Sequence, residues 1–152
     1  MAVKPIPDNY PRITPYLCID GAAEAIDFYK KAFGATERMR MAAPGGKVGH
    51  AEIEISGALI MLADEFPEMD FRSPRSYGGS PVVIHMYVED VDAFCERAVA
   101  AGATLLKPVA DQFYGDRSGQ LRDPFGHLWS VATHKEDLSA EEMQKRAAAL
   151  HG

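Results

Sequence analysis

The chain has 152 residues, of which 47% are apolar and 25% charged, the composition of a globular domain able to bury a core. Acids outnumber bases by 22 to 16 and no Lys/Arg cluster stands out, which argues against nucleic acid and anionic membrane surfaces as partners. Cys18 and Cys95 form no Cys-x-x-Cys pair, the opening MAVKPIPDNYPR lacks the apolar segment of a signal peptide, and no apolar run approaches the roughly 18 residues of a membrane helix, so a cytoplasmic chain with reduced thiols is expected.

In chain order, ITPYLCID (13–20) is a predicted strand. The helix AAEAIDFYKKAFG follows, with Ala22, Ile26, Tyr29 and Phe33 on one face and Gly34 just past its end. PGGK (44–47) reads as a hairpin turn between a second and a third strand. On the third, His50, Glu52 and Glu54 alternate with Ala51, Ile53 and Ile55. ISGALIMLA gives a fourth strand after the turn glycine Gly57. PEMDFRSPRSYGGS, rich in Pro, Gly and Ser, reads as a linker.

PVVIHMYVED (81–90) is the predicted fifth strand. The helix VDAFCERAVAAG follows, with the stripe Val91, Phe94, Cys95 and Ala98 and its end at Gly102. DQFYGDRSGQLRD (111–123) supplies a loop and part of a seventh strand; Tyr114, Asp116 and Arg117 there are candidates to close over a cleft. Arg122-Asp123 is expected to stabilise the turn before the eighth strand, GHLWSVATH. A last helix begins after Ser139, with Glu142 at capping-box spacing and the stripe Ala140, Met143, Ala147 and Leu150.

The chain repeats itself. Gly34-Ala35-Thr36 recurs as Gly102-Ala103-Thr104, 68 positions on, and the turn glycine Gly57 recurs at Gly126, 69 positions on. The expected fold is therefore α+β: two βαβββ modules, about 12–66 and 80–136, forming a curved mixed sheet around a cleft, with a linker at 67–79 and a C-terminal helix at 139–150. All 152 residues are assigned to one domain.

Alternation divides each strand into two faces. Ile13, Pro15, Leu17 and Ile19, then Val82, Ile84, Met86 and Val88, make an aliphatic face suited to packing on the helices. The opposite face mixes hydroxyls, imidazoles, phenols and small residues, which suits a cleft for a small molecule. Its candidate lining is Thr14, Tyr16, Met61, Val83, His85, Tyr87, Tyr114 and Ser130.

The paired modules, with IDFYKKAFGA after the first strand and DPFGHLWS before the last, resemble the vicinal oxygen chelate superfamily, which includes glyoxalase I, extradiol dioxygenases and bleomycin- and fosfomycin-resistance proteins. TPYLCIDGAAEAIDFYKKAFGA, GHAEIEISGALIMLADE and FYGDRSGQLRDPFGHLWS look most like its PhnB-like branch. The resemblance covers nearly the whole chain and implies paired subunits, a homodimer. Metal enzymes of the superfamily hold a divalent ion from the first, fourth, fifth and eighth strands, positions that fall here at Thr14, Met61, Val83 and Ser130. Hydroxyl, thioether and alkyl groups are not ligands for such an ion, so no metal and no other cofactor is expected. A register shift of two would bring His85 to the fifth-strand position.

Three functions compete. One is a metal-independent, bleomycin-resistance-like protein that binds a small, partly apolar molecule. The alternative is a glyoxalase-like lyase or isomerase with a non-standard site, its candidate catalytic residues being His85, Glu52 and His50. The third is a structural or regulatory dimer with a vestigial cleft. No Ser-His-Asp order, Gly-x-Ser-x-Gly elbow or phosphate-binding glycine loop is present.

Overall fold

Parallel strands cannot be joined by a tight turn, so a chain that pairs its first strand in parallel with a later one needs a crossover, here a helix. In the computed structural model, which describes residues 2–151, this happens twice. The chain divides into two units at Gly78/Gly79.

In the first unit, β1 (Tyr16–Ile19) leads to α1 (Ala22–Phe33), then to β2 (Thr36–Ala42), β3 (Val48–Ile55) and β4 (Ala58–Asp64). The sheet order is β1-β4-β3-β2, with β1 and β4 parallel and the other pairs antiparallel. The predicted stripe of α1 is buried in full, together with Ala25, Phe28 and Ala32. It packs against a sheet face carrying Leu17, Ile19, Ala51, Ile53, Ile60 and Leu62, all buried. Gly34 adopts φ 69° at the helix end and donates its N–H to the Tyr29 carbonyl, a left-handed stop that glycine makes without steric cost.

The second unit repeats the order: β5 (Val83–Tyr87), α3 (Val91–Ala101), β6 (Thr104–Asp111), β7 (Asp116–Arg122) and β8 (Leu128–His134), with sheet order β5-β8-β7-β6. The fold is thus α+β, two βαβββ modules each with its own four-stranded mixed sheet. The duplication holds at the level of register. Tyr16 lies opposite Met61, and His85, 69 positions after Tyr16, lies opposite Ser130, 69 after Met61. Leu121, Trp129 and Val131 are fully buried, and α3 contributes Val91, Cys95 and Ala98, while Phe94 of its predicted stripe is only half-buried.

Each helix start is tied to the end of the last strand of its own module. Asp64, closing β4, accepts hydrogen bonds from the N–H groups of Gly21 (3.1 Å), Ala22 (2.9 Å) and Val48 (2.7 Å). Thr133, 69 positions on in β8, accepts from the N–H of Val91 (2.9 Å), itself 69 after Ala22, and donates to the Val88 carbonyl (2.9 Å). A helix N-terminus has unpaired donors, and these side chains satisfy them.

The predicted turn before β8 is held by Asp123, as expected. Its carboxylate accepts from the N–H groups of Phe125 (2.9 Å) and His127 (3.0 Å) and from the Trp129 indole (2.9 Å). PGGK is the turn between β2 and β3. The final helix, α4 (Ala140–His151), starts with a hydrogen bond from Glu142 N–H to Ser139 Oγ (3.1 Å). The Glu142 side chain does not close the capping box; it accepts from Arg146 instead (3.1 Å). No described residue of α4 is buried.

Three expectations fail locally. β1 starts at Tyr16, so Ile13 (88% exposed) and Pro15 lie outside it and off the aliphatic face. Pro15 has no N–H to donate, and only its carbonyl joins β4, accepting from Met61 N–H (3.0 Å). Likewise Val82 is exposed before β5, its N–H held by Ser80 Oγ (3.2 Å). The linker is not featureless: Pro67–Met69 makes a 3₁₀ turn and Pro74–Tyr77 a one-turn helix, α2.

Replacing Asp64 by alanine leaves three backbone donors without their acceptor, and urea unfolding is expected to show a loss of about 2–4 kcal/mol. A loss below about 1 kcal/mol would show that the strand-to-helix tie is not a main constraint.

Candidate functional site

The mixed face of the first unit is built by alternation on β3 and by the register of three strands. Ala51, Ile53 and Ile55 turn to the core, which leaves His50, Glu52 and Glu54 opposite. Glu52 lies across from Met61, and Met61 across from Tyr16, so the three form a row across β3, β4 and β1.

Tyr16 Oη and His50 Nδ1 are 2.7 Å apart, and His50 Nε2 lies 2.9 Å from Glu52 Oε2. The other Glu52 oxygen accepts from the Tyr10 hydroxyl at 2.7 Å. Glu52 is only 3% exposed. Burial pushes its carboxyl up, but the hydrogen bonds from His50 and Tyr10 outweigh that and hold it below the usual carboxylate range. The Tyr16 phenol is pushed up, by burial first and then by Cys18 and Glu52. Glu54 faces Arg38 at 3.8 Å, an ion-paired position outside this chain of contacts.

Beside Tyr16 opens a cavity of about 470 Å³, lined by Tyr16, Gly49, Ala63, Phe66, Met69 and Phe71. Its aromatic wall comes from the segment after β4. The Phe66 N–H donates to the Phe71 carbonyl (2.8 Å) and the Phe71 N–H donates back (3.2 Å). That small hairpin sets Phe71 edge-on to Tyr16, with centroids 6.0 Å apart. Burial, then Glu65 and Asp64, push the Cys18 thiol up to about 12, which disfavours its thiolate.

In the second unit His85 Nδ1 and Ser130 Oγ share a 3.0 Å hydrogen bond, and the His85 ring stands edge-on to Tyr87 at 4.9 Å. Tyr87 donates to Asp116 Oδ2 (2.8 Å). The other oxygen of Asp116 meets His134 Nδ1 (2.8 Å), and His134 Nε2 reaches Asp137 (2.7 Å). His134, standing between two carboxylates, titrates above its ordinary value, through Asp116 first and then Asp137. Asp116 and Arg117 are strand residues, already committed: Arg117 grips Asp92 through two nitrogens (2.8 and 3.0 Å) and reaches Asp111 (3.2 Å). Tyr114, in the turn before β7, meets Ser118 Oγ at 3.3 Å.

The candidate lining therefore falls into two groups. Tyr16 and Met61 stand beside His50 and Glu52; His85 and Ser130 stand together beside Tyr87. Thr14 precedes β1 and does not line the cavity, and Val83 is 44% exposed across from Leu128. Sequence reasoning missed Tyr10, Phe66, Met69 and Phe71. The last three sit at the head of the segment or inside it, where Pro, Gly and Ser content masked the spaced apolar side chains; nothing in the sequence marks Tyr10.

Residues 11–131 match the family model of the glyoxalase/bleomycin resistance protein/dioxygenase superfamily. The chain belongs to that superfamily. It is 46% identical over 137 residues to the uncharacterized protein Rv0887c of Mycobacterium tuberculosis, covering 88% of this chain and 81% of that one. The X-ray structure of the Arabidopsis thaliana At5g48480 gene product is similar at TM-score 0.67 and 27% identity, over 81% of this chain and 98% of the other. TioX from Micromonospora sp. ML1 is similar at TM-score 0.64 and 25% identity, over 85% and 100%.

Membership in this superfamily raises its divalent metal, and the residues here do not fit one. Thr14, Met61, Val83 and Ser130 offer two hydroxyls, a thioether and an alkyl group. Shifting to the residues that lie directly opposite in register gives Tyr16 with Met61 and His85 with Ser130, a set with a single imidazole. Among the described residues no three of His, Cys, Asp and Glu gather to hold an ion.

The raised His134 value sets a pH dependence. Its contribution to stability is complete below the unfolded value, about pH 6.5, and is lost as pH rises through the higher folded value. The melting temperature of wild type over His134→Gln is expected to be greater at about pH 6 than at about pH 9. A gap that widens toward alkaline pH would contradict this.

Proposed function

We propose that this protein binds a small, partly apolar molecule in the first unit without the usual metal of its superfamily. The cavity of about 470 Å³ carries the reading: an apolar, aromatic wall of Phe66, Met69 and Phe71 faces one polar corner, where Tyr16 meets His50. Ligand sites combine such walls with a few placed polar groups, in volumes of about 300–1,000 Å³. The candidates on the second unit remain ligand-facing proposals: His85, Tyr87 and Ser130 from the mixed strand face, and Tyr114 from the turn before β7.

A glyoxalase-like lyase or isomerase is the second reading. Its support is the contact between His50 and Glu52, two of the three candidate catalytic residues; His85 is engaged with Ser130. A homodimer is proposed from the family resemblance, and size-exclusion chromatography with light scattering tests the pairing; a cytoplasmic location is a separate proposal.

A thermal-shift screen with small aromatic compounds is expected to find stabilisers. Saturation at about 100 times Kd adds about 2.7 kcal/mol, and Phe71→Ala is expected to weaken such a compound about tenfold. A screen without one stabilising compound would overturn the binding reading. Protein purified without a histidine tag is expected to carry no stoichiometric metal by elemental analysis; one equivalent would overturn the metal-independent form.

A further inference from the structure

We propose that Tyr16, His50 and Glu52 form a proton relay that deprotonates a small acid with an apolar body, a phenol or an enol, held in the first unit's cavity. This rests on the binding reading above and adds a reaction to it.

The direction of the hydrogen bonds follows from Glu52. An ionised carboxylate only accepts, so His50 Nε2 and the Tyr10 hydroxyl both donate to it. A neutral His50 then carries its proton on Nε2, and Nδ1 accepts from the Tyr16 hydroxyl. Tyr16 is left with an oxygen lone pair to offer, and Tyr16 also lines the cavity. The Tyr16 phenol titrates above its ordinary value, which suits a group that passes a proton on rather than one that waits as a phenolate.

The step balances without a co-reactant. The substrate O–H bond breaks and its proton joins Tyr16 Oη. The original Tyr16 proton moves to His50 Nδ1, and the electron pair stays on the substrate oxygen. The resulting imidazolium keeps its Nε2–H on the buried Glu52 carboxylate, 2.9 Å away, as in other nucleophile–base–orienter sets. Tyr16 is the group that would touch substrate; His50 and Glu52 act through it. The charged and titratable neighbours are few: Tyr10 on Glu52, Arg38 over the Tyr10 ring at 5.0 Å, and Cys18 beside Tyr16. Across on β2, His50 and Glu52 face Met41 and Met39. Lys47 lies 4.9 Å from the centre of the Phe66 ring, a cation against one wall of the cavity.

The His134 contacts provide the contrast. That ring lies between two carboxylates, which favour its doubly protonated form, and in that form it has no site to receive a proton. His50 lies between a carboxylate and a phenol and does.

The test uses the full chain and 4-nitrophenol, whose phenolate absorbs visible light. Binding is measured by calorimetry and ionisation by the spectrum of the bound dye, at a pH where the free dye is mostly protonated. The phenolate-to-phenol ratio is expected to rise about tenfold on binding, the ratio of one pKa unit. In Tyr16→Phe and His50→Gln the dye that binds is expected to show no rise whatever the change in affinity, because the ratio is read on the bound dye alone. A bound dye with an unchanged or lower ratio overturns the relay and leaves the binding reading standing. Retention of the rise in either variant also overturns it. Failure of the dye to bind overturns the relay for this acid class and leaves the binding reading to the compound screen. The wild-type spectrum decides the matter even if His50→Gln does not fold.

Discussion

The contact on which each module depends is the grip of its last strand on the start of its helix. A parallel pair such as β1 and β4 is made by strands 45 positions apart at Tyr16 and Met61, and the helix between them has to leave β1 at a set angle to cover the sheet. Asp64 sets that angle by accepting from Gly21 and Ala22 while its second oxygen takes Val48. One carboxylate therefore joins β4, the start of α1 and the start of β3. Thr133 performs the corresponding task in the second module with a hydroxyl, which can also donate, and it reaches Val91 and Val88 together. An anion at a helix N-terminus gains from the helix dipole as well as from the hydrogen bonds.

With both modules fixed in this way, their sheets share a register, and equivalent positions can be compared directly. Tyr16 and Met61 in one module correspond to His85 and Ser130 in the other. Glu52 lies opposite Met61 where Gln120 lies opposite Ser130. The backbone frame is kept and the polar face has diverged. This is the pattern expected when packing against the helix constrains one face of a strand and leaves the other free to change.

The frame was legible because it is written in periodicities. The α1 stripe, the left-handed Gly34 and the 68–69 residue offset are each local signals, and each appears in the structure. Strand starts were less legible: Pro15 and Pro81 end the backbone pairing where the alternation of side chains runs on. The site was legible only in part. His50 and Glu52 were visible because they alternate on β3, but their partner Tyr10 comes from a segment with no regular structure, and its contact spans 42 positions. Phe66 and Phe71 were hidden because a composition rich in Pro, Gly and Ser describes the flexibility of an average segment and not the hairpin that this one forms.

Each module buries a carboxylate and satisfies it with one phenol and one imidazole: Glu52 with Tyr10 and His50, Asp116 with Tyr87 and His134. Two residues 64 positions apart arrive at the same solution without being equivalent in the repeat. Burying an unpaired carboxylate is costly, and two donors from long side chains are an economical way to meet it. What distinguishes the two is the far nitrogen of the imidazole. In the second module it meets Asp137, a second anion, so the charged form of the ring is favoured and the assembly is a clamp whose strength fades as pH rises. In the first it meets Tyr16, a group that can both give and take a proton and that borders the cavity. The same pair of residues is a structural device in one setting and, in the proposed relay, a chemical one in the other, and the difference rests on a single partner.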